Sequence, residues 1–332
     1  LFSLAVYYLG ACSASWAGSL VASRDSFDYV LTASSNQIDG MENILLPENW
    51  FLELYSREPM AESHRDPQSP ARIVYSSGTT GIPKGVAFSF SKLEKRVEAA
   101  KRNWIKSEPF MSLLDINTVS GMQTFFAQIS SGQTYFVGGG AEENYEILHQ
   151  NKIKTIKAFP MQLRALLEHC SKRDRALPSL ELAQGAGGFT STKLADRFSN
   201  FFSCDFVNLY GSTETGTVAV RSGSEGDGQF MGKIVPEAKV QIVNDKGEPL
   251  TNRTIGKLRI WTENMATGYV ANEEPQSQLG FEDGWFYPGD LGYLTAENGL
   301  FVTGRQEDLV NFGGLKYSLS FLDSKIQELP GF

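Results

Sequence analysis

The densest chemistry in the 332-residue sequence lies in one run, Tyr75-Ser76-Ser77-Gly78-Thr79-Thr80-Gly81-Ile82-Pro83-Lys84-Gly85. Hydroxyls at Ser76, Ser77, Thr79 and Thr80, open backbone N–H groups at Gly78 and Gly81, and the Lys84 ammonium are the donors and cation that a polyphosphate needs. The spacing is not that of the common nucleotide P-loop, in which Gly-Lys precedes Ser or Thr. Here Pro83 precedes Lys84 and Gly85 follows it. A flexible Ser/Gly/Thr connector is the plain alternative, but the Pro-Lys-Gly stop and the strand-like run Arg72 to Tyr75 favour a phosphate-holding loop.

Four further segments carry usable groups. Asn208-Leu209-Tyr210-Gly211-Ser212-Thr213-Glu214-Thr215-Gly216 offers an aromatic ring, hydroxyls and a carboxylate, although a turn that merely ends a strand would read the same way. Gln184-Gly185-Ala186-Gly187-Gly188-Phe189 places glycines at a strand end, where they often only turn the chain. Trp285-Phe286-Tyr287-Pro288-Gly289-Asp290-Leu291-Gly292 contains a carboxylate able to accept two hydrogen bonds at once, and Gly304 to Gly314 brings Arg305 and Glu307.

These segments, in this order, resemble the core motifs of the adenylate-forming superfamily: acyl- and aryl-CoA synthetases, nonribosomal-peptide adenylation domains and firefly luciferase. The resemblance covers nearly the whole chain and implies a site for ATP and Mg²⁺. It places Ser76, Ser77, Gly78, Thr79, Thr80 and Gly81 around the phosphates, with Lys84, Thr213 and Glu214 as catalytic residues and Glu214 on the metal. Gly187, Gly188, Tyr210 and Gly211 would border adenine; Asp290 would take the ribose hydroxyls, with Val302 and Arg305 close by; and Glu307 would fall at a hinge. Pro288 stands where the family usually has threonine, a departure expected to perturb the loop more than the carboxylate.

The implied chemistry has two steps. A carboxylate and ATP give an acyl-adenylate and pyrophosphate, and the thiol of CoA or of phosphopantetheine on an acyl or peptidyl carrier protein then displaces AMP. In the family a lysine of a small C-terminal domain serves the first step. The sequence ends at Phe332, where the run Leu319 to Leu329 resembles only the first helix of that domain, and Leu1 to Trp16 resembles a segment well inside the large one. The expectation is a chain truncated at both ends, a binding core lacking the catalytic lysine and impaired in turnover. A degenerate module that binds nucleotide or acyl-adenylate without turnover is the alternative reading.

Met111 to Met122 resembles the strand-loop-helix that floors the acid pocket, assigning Thr118, Val119, Gly121 and, from the second motif, Ser212 to the substrate. Val119 stands where amino-acid-activating members keep an aspartate for the substrate ammonium. A dry apolar position would leave that ammonium unpaired, so an aryl or fatty acid is expected rather than an amino acid. Val119 as simple core packing is an equal alternative.

The elements that must position these groups follow from periodicity. Strand-like runs at Arg72 to Tyr75, Met111 to Asp115, Thr134 to Val137, Thr155 to Phe159, Leu180 to Gln184 and Asp205 to Leu209 alternate with helical patterns at Ser91 to Trp104, Glu142 to Gln150, after Pro160, and Ser191 to Phe201. The fold class expected is α/β: layered α/β subdomains with a smaller β-barrel-like subdomain and a C-terminal lid domain largely missing. The expected divisions are residues 1–222 as the nucleotide- and acid-binding core, 223–304 as the β-rich part, and 305–332 as hinge and start of the lid. The charged face of the helix at Ser91 to Trp104 reads as solvated, and Phe2 to Leu9 as a core helix rather than a membrane span.

Composition narrows the partners. With 30 Lys and Arg against 38 Asp and Glu, the net charge of −8 argues against a nucleic-acid binder, which needs a basic face. Cys12, Cys170 and Cys204 are too far apart for a metal site or disulfide framework, and with no signal-peptide pattern a cytoplasmic setting is expected. The histidines, His64, His149 and His169, stand outside every motif.

Overall fold

Four apolar runs form adjacent parallel strands in chain order: Phe110–Ser112, Thr155–Ala158, Leu182–Ala186 and Asp205–Ser212. Parallel neighbours need long crossovers, and helices supply them. Among the described residues the helices are α1 (Phe90–Asn103), α2 (Val119–Ser130), α3 (Ala141–Gln150), α4 (Pro160–Ser171) and α5 (Thr192–Phe202). The computed structural model describes residues 66–76, 84–105, 107–226, 228–270, 280–306 and 308, and the backbone of short strands at Ser13–Ala14, Tyr29–Thr32, Glu42–Leu45, Leu309–Phe312 and Leu315–Ser318. The expected helices at Phe2 to Leu9 and Leu319 to Leu329 lie outside the described residues.

The helices take both faces of the sheet because its strands are apolar on both sides. On one face Leu148 of α3, Leu163, Leu166 and Leu167 of α4, and Leu194 and Phe198 of α5 pack on Met111, Ile156, Ala183 and Phe206. On the other, Ala100 of α1 and Ala127 of α2 cover Phe110. Helix starts follow their sequence signals. The Ser89 hydroxyl accepts from Lys92 N in α1, Thr118 accepts from Gly121 N in α2, Ser191 accepts from Leu194 N in α5, and Pro160 opens α4.

Beyond Ser212 the sheet continues antiparallel. A tight turn leads into Gly216–Ser222, then come Phe230–Ile234, Gly299–Arg305, Asp290–Leu294 and Gly256–Thr262, so that twelve strands share one sheet. Val240, Ile242, Leu258, Ile260 and Leu300 build its separate core. A second sheet joins Pro70–Ser76 to Lys84–Ser89 and to Gly268–Tyr269.

Two expectations change. Thr134 to Val137 is not a strand: the Gln128 side chain donates to the carbonyls of both Phe110 and Thr134, taking the place of a ladder, and Val137 stays exposed. The charged face of α1 is not wholly solvated, because Arg96 is 1% exposed and lies over the Phe88 ring at 4.5 Å. Among the described residues Cys170 and Cys204 are free and buried, with burial pushing their thiols up to about 11 and about 12. No helix among the described residues is long and apolar enough to cross a membrane.

Candidate functional site

The parallel strands end on a cavity of about 1000 Å³, and residues at or just past their carboxyl ends line it: Leu114, Phe159, Gly187, Gly188 and Tyr210 to Thr213. Ligands of open parallel sheets bind at this edge, since the chain turns there and the helix N-termini that follow face it. Lys84, Thr118, Val119, Ser212, Glu214, Asp290, Val302 and Arg305 line the same cavity. Thirteen sequence-selected residues thus meet there from segments as much as 221 positions apart, Lys84 to Arg305.

The glycines act by shape. Gly187 has φ +75°, and a Cβ there would fall 2.4 Å from the Phe159 ring. Gly211 presses on the carbonyl of Gly216, closing the turn that presents Thr213 and Glu214. Gly121 does not line the cavity; it packs on the Asp115 carbonyl at the start of α2, so its role is to let the loop close. Ser76 and Lys84 pair across the two strands that flank the glycine-rich run, bringing its ends together, while Ser77, Gly78, Thr79, Thr80, Gly81 and Glu307 lie outside the described residues.

Asp290 anchors one end of the site. It is 9% exposed; its Oδ2 accepts from the Tyr210 hydroxyl at 2.5 Å and its Oδ1 from Arg305 Nε at 3.1 Å. Burial and the adjacent carboxylate hold the Tyr210 phenol well above its ordinary pKa, so it stays a donor. Burial works against the Arg305 charge, but Asp290 outweighs it and raises the guanidinium pKa.

Glu214 anchors the other end. Its Oε1 accepts from the Tyr269 hydroxyl at 2.9 Å, and its backbone carbonyl accepts from both Arg96 Nη2 at 2.8 Å and Ala266 N at 2.7 Å. Oε2 meets no hydrogen-bond partner among the described residues. Arg96 Nε also donates to the Asn264 carbonyl at 2.8 Å, and burial pushes the guanidinium down to about 9, which leaves it charged at neutral pH. Arg96, Asn264 and Tyr269 were not singled out in the sequence; each owes its role to contacts more than fifty positions away.

The residues fit a nucleotide with a divalent cation. Asn208, beside Gly187 and Gly188 on the cavity wall, keeps a buried Oδ1 with no partner, an acceptor suited to an exocyclic amine. Among the described residues no three His, Cys, Asp or Glu gather to hold a metal. Mg²⁺ suits Glu214 alone, because it takes one or two carboxylates and completes its shell with phosphate oxygens and water.

Val119 is 4% exposed and belongs at once to a core cluster with Val74, Val86 and Phe88 and to the cavity wall. Its packing in the core thus does not keep it from bordering the cavity. The Thr118 hydroxyl is occupied, donating to the Asp115 carbonyl at 2.7 Å while it caps α2. The Asp115 side chain is exposed and accepts from Asn117 N, outside the cavity.

This fold is that of the adenylate-forming enzymes. An o-succinylbenzoate CoA synthetase from Bacillus subtilis, solved with its acyl-adenylate intermediate, superposes with a TM-score of 0.82 at 22% identity, covering 99% of this chain and 70% of that one. The chain belongs to the AMP-binding enzyme family, whose model matches residues 19–270. It is 23% identical over 320 residues to a medium/long-chain-fatty-acid–CoA ligase of Mycobacterium tuberculosis, covering 94% of this chain and 55% of the relative. It is 26% identical over 273 residues to an indoleacetate–CoA ligase of Aromatoleum aromaticum, covering 80% and 53%. The chain spans about half the length of the curated relatives it matches.

Proposed function

We propose that this chain carries the nucleotide and acid sites of an ATP-dependent acid–thiol ligase. The observation that bears most weight is the convergence of Lys84, Glu214 and the Asp290–Arg305 pair on one cavity whose far wall is apolar. In the first step a substrate carboxylate oxygen attacks the α-phosphorus, the bond to the bridging oxygen breaks, and pyrophosphate leaves. In the second a thiol sulfur attacks the acyl carbon, and AMP departs as the thiol loses its proton.

The first step joins two anions, so the site must hold them in line and absorb charge. Asp290 accepts the ribose hydroxyls through lone pairs that Tyr210 and Arg305 leave open, which fixes the nucleotide's orientation. Lys84 and Thr213 supply a cation and a donor at the phosphates. Glu214 would hold Mg²⁺, which would supply positive charge against the phosphates.

The acid is aryl or fatty acyl. Leu114, Val119, Phe159 and Leu209 form an apolar wall, and the nearby Asp115 lies outside the cavity, so that wall offers no carboxylate to an α-ammonium. The acceptor is a pantetheine thiol, of CoA or of a carrier protein; the relatives named above are CoA ligases. Thermal shift with nonhydrolysable acyl-adenylate analogues tests the reading. Aryl and fatty acyl analogues should raise the melting temperature and aminoacyl ones should not; a folded sample indifferent to all of them would sink it.

A further inference from the structure

The Gly268–Tyr269 strand joins two parts of the site that are far apart in sequence. Its backbone pairs with the strand that begins at Lys84, through Gly268 to Ala87 and Tyr269 to Val86, and Val270 N donates to the Gly85 carbonyl at 2.7 Å. Its side chain reaches the other way. The Tyr269 hydroxyl donates to Glu214 Oε1 at 2.9 Å, while the Lys84 ammonium lies 5.5 Å from the centre of the same ring. Phe281 holds the ring edge-on at 5.4 Å.

We propose that Tyr269 is a positioning residue for the first half-reaction: its hydroxyl fixes one oxygen of Glu214 and turns the other toward the metal, while its ring face holds the Lys84 ammonium near the phosphates. The inference rests on the ligase reading of the cavity. A carboxylate free to rotate must be ordered each time a cation binds; one held by a donor is already oriented. A phenol hydroxyl can donate where a carboxylate oxygen accepts, and the hydrogen bond runs in that direction here. The ring face meets Lys84 by a cation–π contact within the range at which such contacts are attractive.

The test is isothermal titration of ATP into the 332-residue chain at a series of Mg²⁺ concentrations and in EDTA. In Tyr269→Phe, which keeps the ring, ATP affinity in EDTA should be unchanged, while the Mg²⁺ needed for half of the metal-dependent gain rises roughly tenfold, the effect of one lost hydrogen bond to a charged group. The same substitution on a Glu214→Gln background should add nothing, because its partner is already neutral. Tyr269→Leu, which also removes the ring, should weaken ATP binding in EDTA too. Unchanged Mg²⁺ dependence in a folded Tyr269→Phe, or an equal loss on the Glu214→Gln background, would overturn the positioning role and leave the ligase reading intact. Wild-type chain that binds no ATP at any Mg²⁺ concentration would overturn both.

Discussion

Asp290 is a carboxylate with two standing partners and lone pairs to spare, so its replacement has two separable costs. Asp290→Ala orphans the half-buried Tyr210 hydroxyl and frees Arg305, which should destabilise the fold by about 1–3 kcal/mol in urea unfolding. It should also weaken ATP binding by at least about tenfold in calorimetry, the loss of two hydrogen bonds to a charged acceptor. Gly187 tests shape alone. Gly187→Ala forces a Cβ toward Phe159 at a positive φ, and about 1–3 kcal/mol of stability should be lost together with nucleotide affinity. A fully stable Gly187→Ala chain with unaltered ATP binding would show that the backbone there has another route.

Helix α1 acts as a clamp. Its N-cap is local, and Ser89→Ala should cost about 1 kcal/mol without touching ligand affinity. Its inner face is not local. Arg96 bridges the carbonyls of Glu214 and Asn264 while stacked on Phe88, so it ties the helix to the turn that presents Glu214. Arg96→Met should lower stability by about 2–4 kcal/mol and weaken the metal-dependent part of ATP binding. Arg96→Lys should not rescue it, because a point ammonium cannot span two carbonyls in the plane of a stacked fork. Denaturation curves for the three variants, side by side, check the ordering.

For the molecule as a whole, Lys157 sets a pH dependence. It is 1% exposed in the Thr155–Ala158 strand, and burial alone pulls its ammonium down to about 8 from an ordinary 10.5. Below about pH 8 it is protonated in both folded and unfolded chains, and the full desolvation penalty stands. Between about 8 and 10.5 the unfolded chain binds the extra proton, so rising pH relieves the penalty and stabilises the fold. Lys157→Met should therefore stabilise the protein by about 1–3 kcal/mol at pH 7, a gain that shrinks as pH climbs through that window. A gain independent of pH would mean that the folded chain does not lower the ammonium's pKa, and a loss would mean that the ammonium has a favourable role.

The sequence by itself determined the α/β alternation and thirteen residues of the cavity wall. Those depend on local signals: apolar period, a proline such as Pro160 at a helix start, and runs of glycine and hydroxyl residues that serve few other purposes. Tyr210, Asp290 and Arg305 were legible because each sits in a segment of distinctive composition. Tertiary structure decided what lies between such segments. Arg96 reads as one more charge on a solvated helix face, Tyr269 as an ordinary strand aromatic, and Thr134 to Val137 as a strand until Gln128 takes its carbonyls. Each outcome turns on a hydrogen bond or a desolvated charge whose partner is set by packing, and no periodicity along the chain encodes that distance.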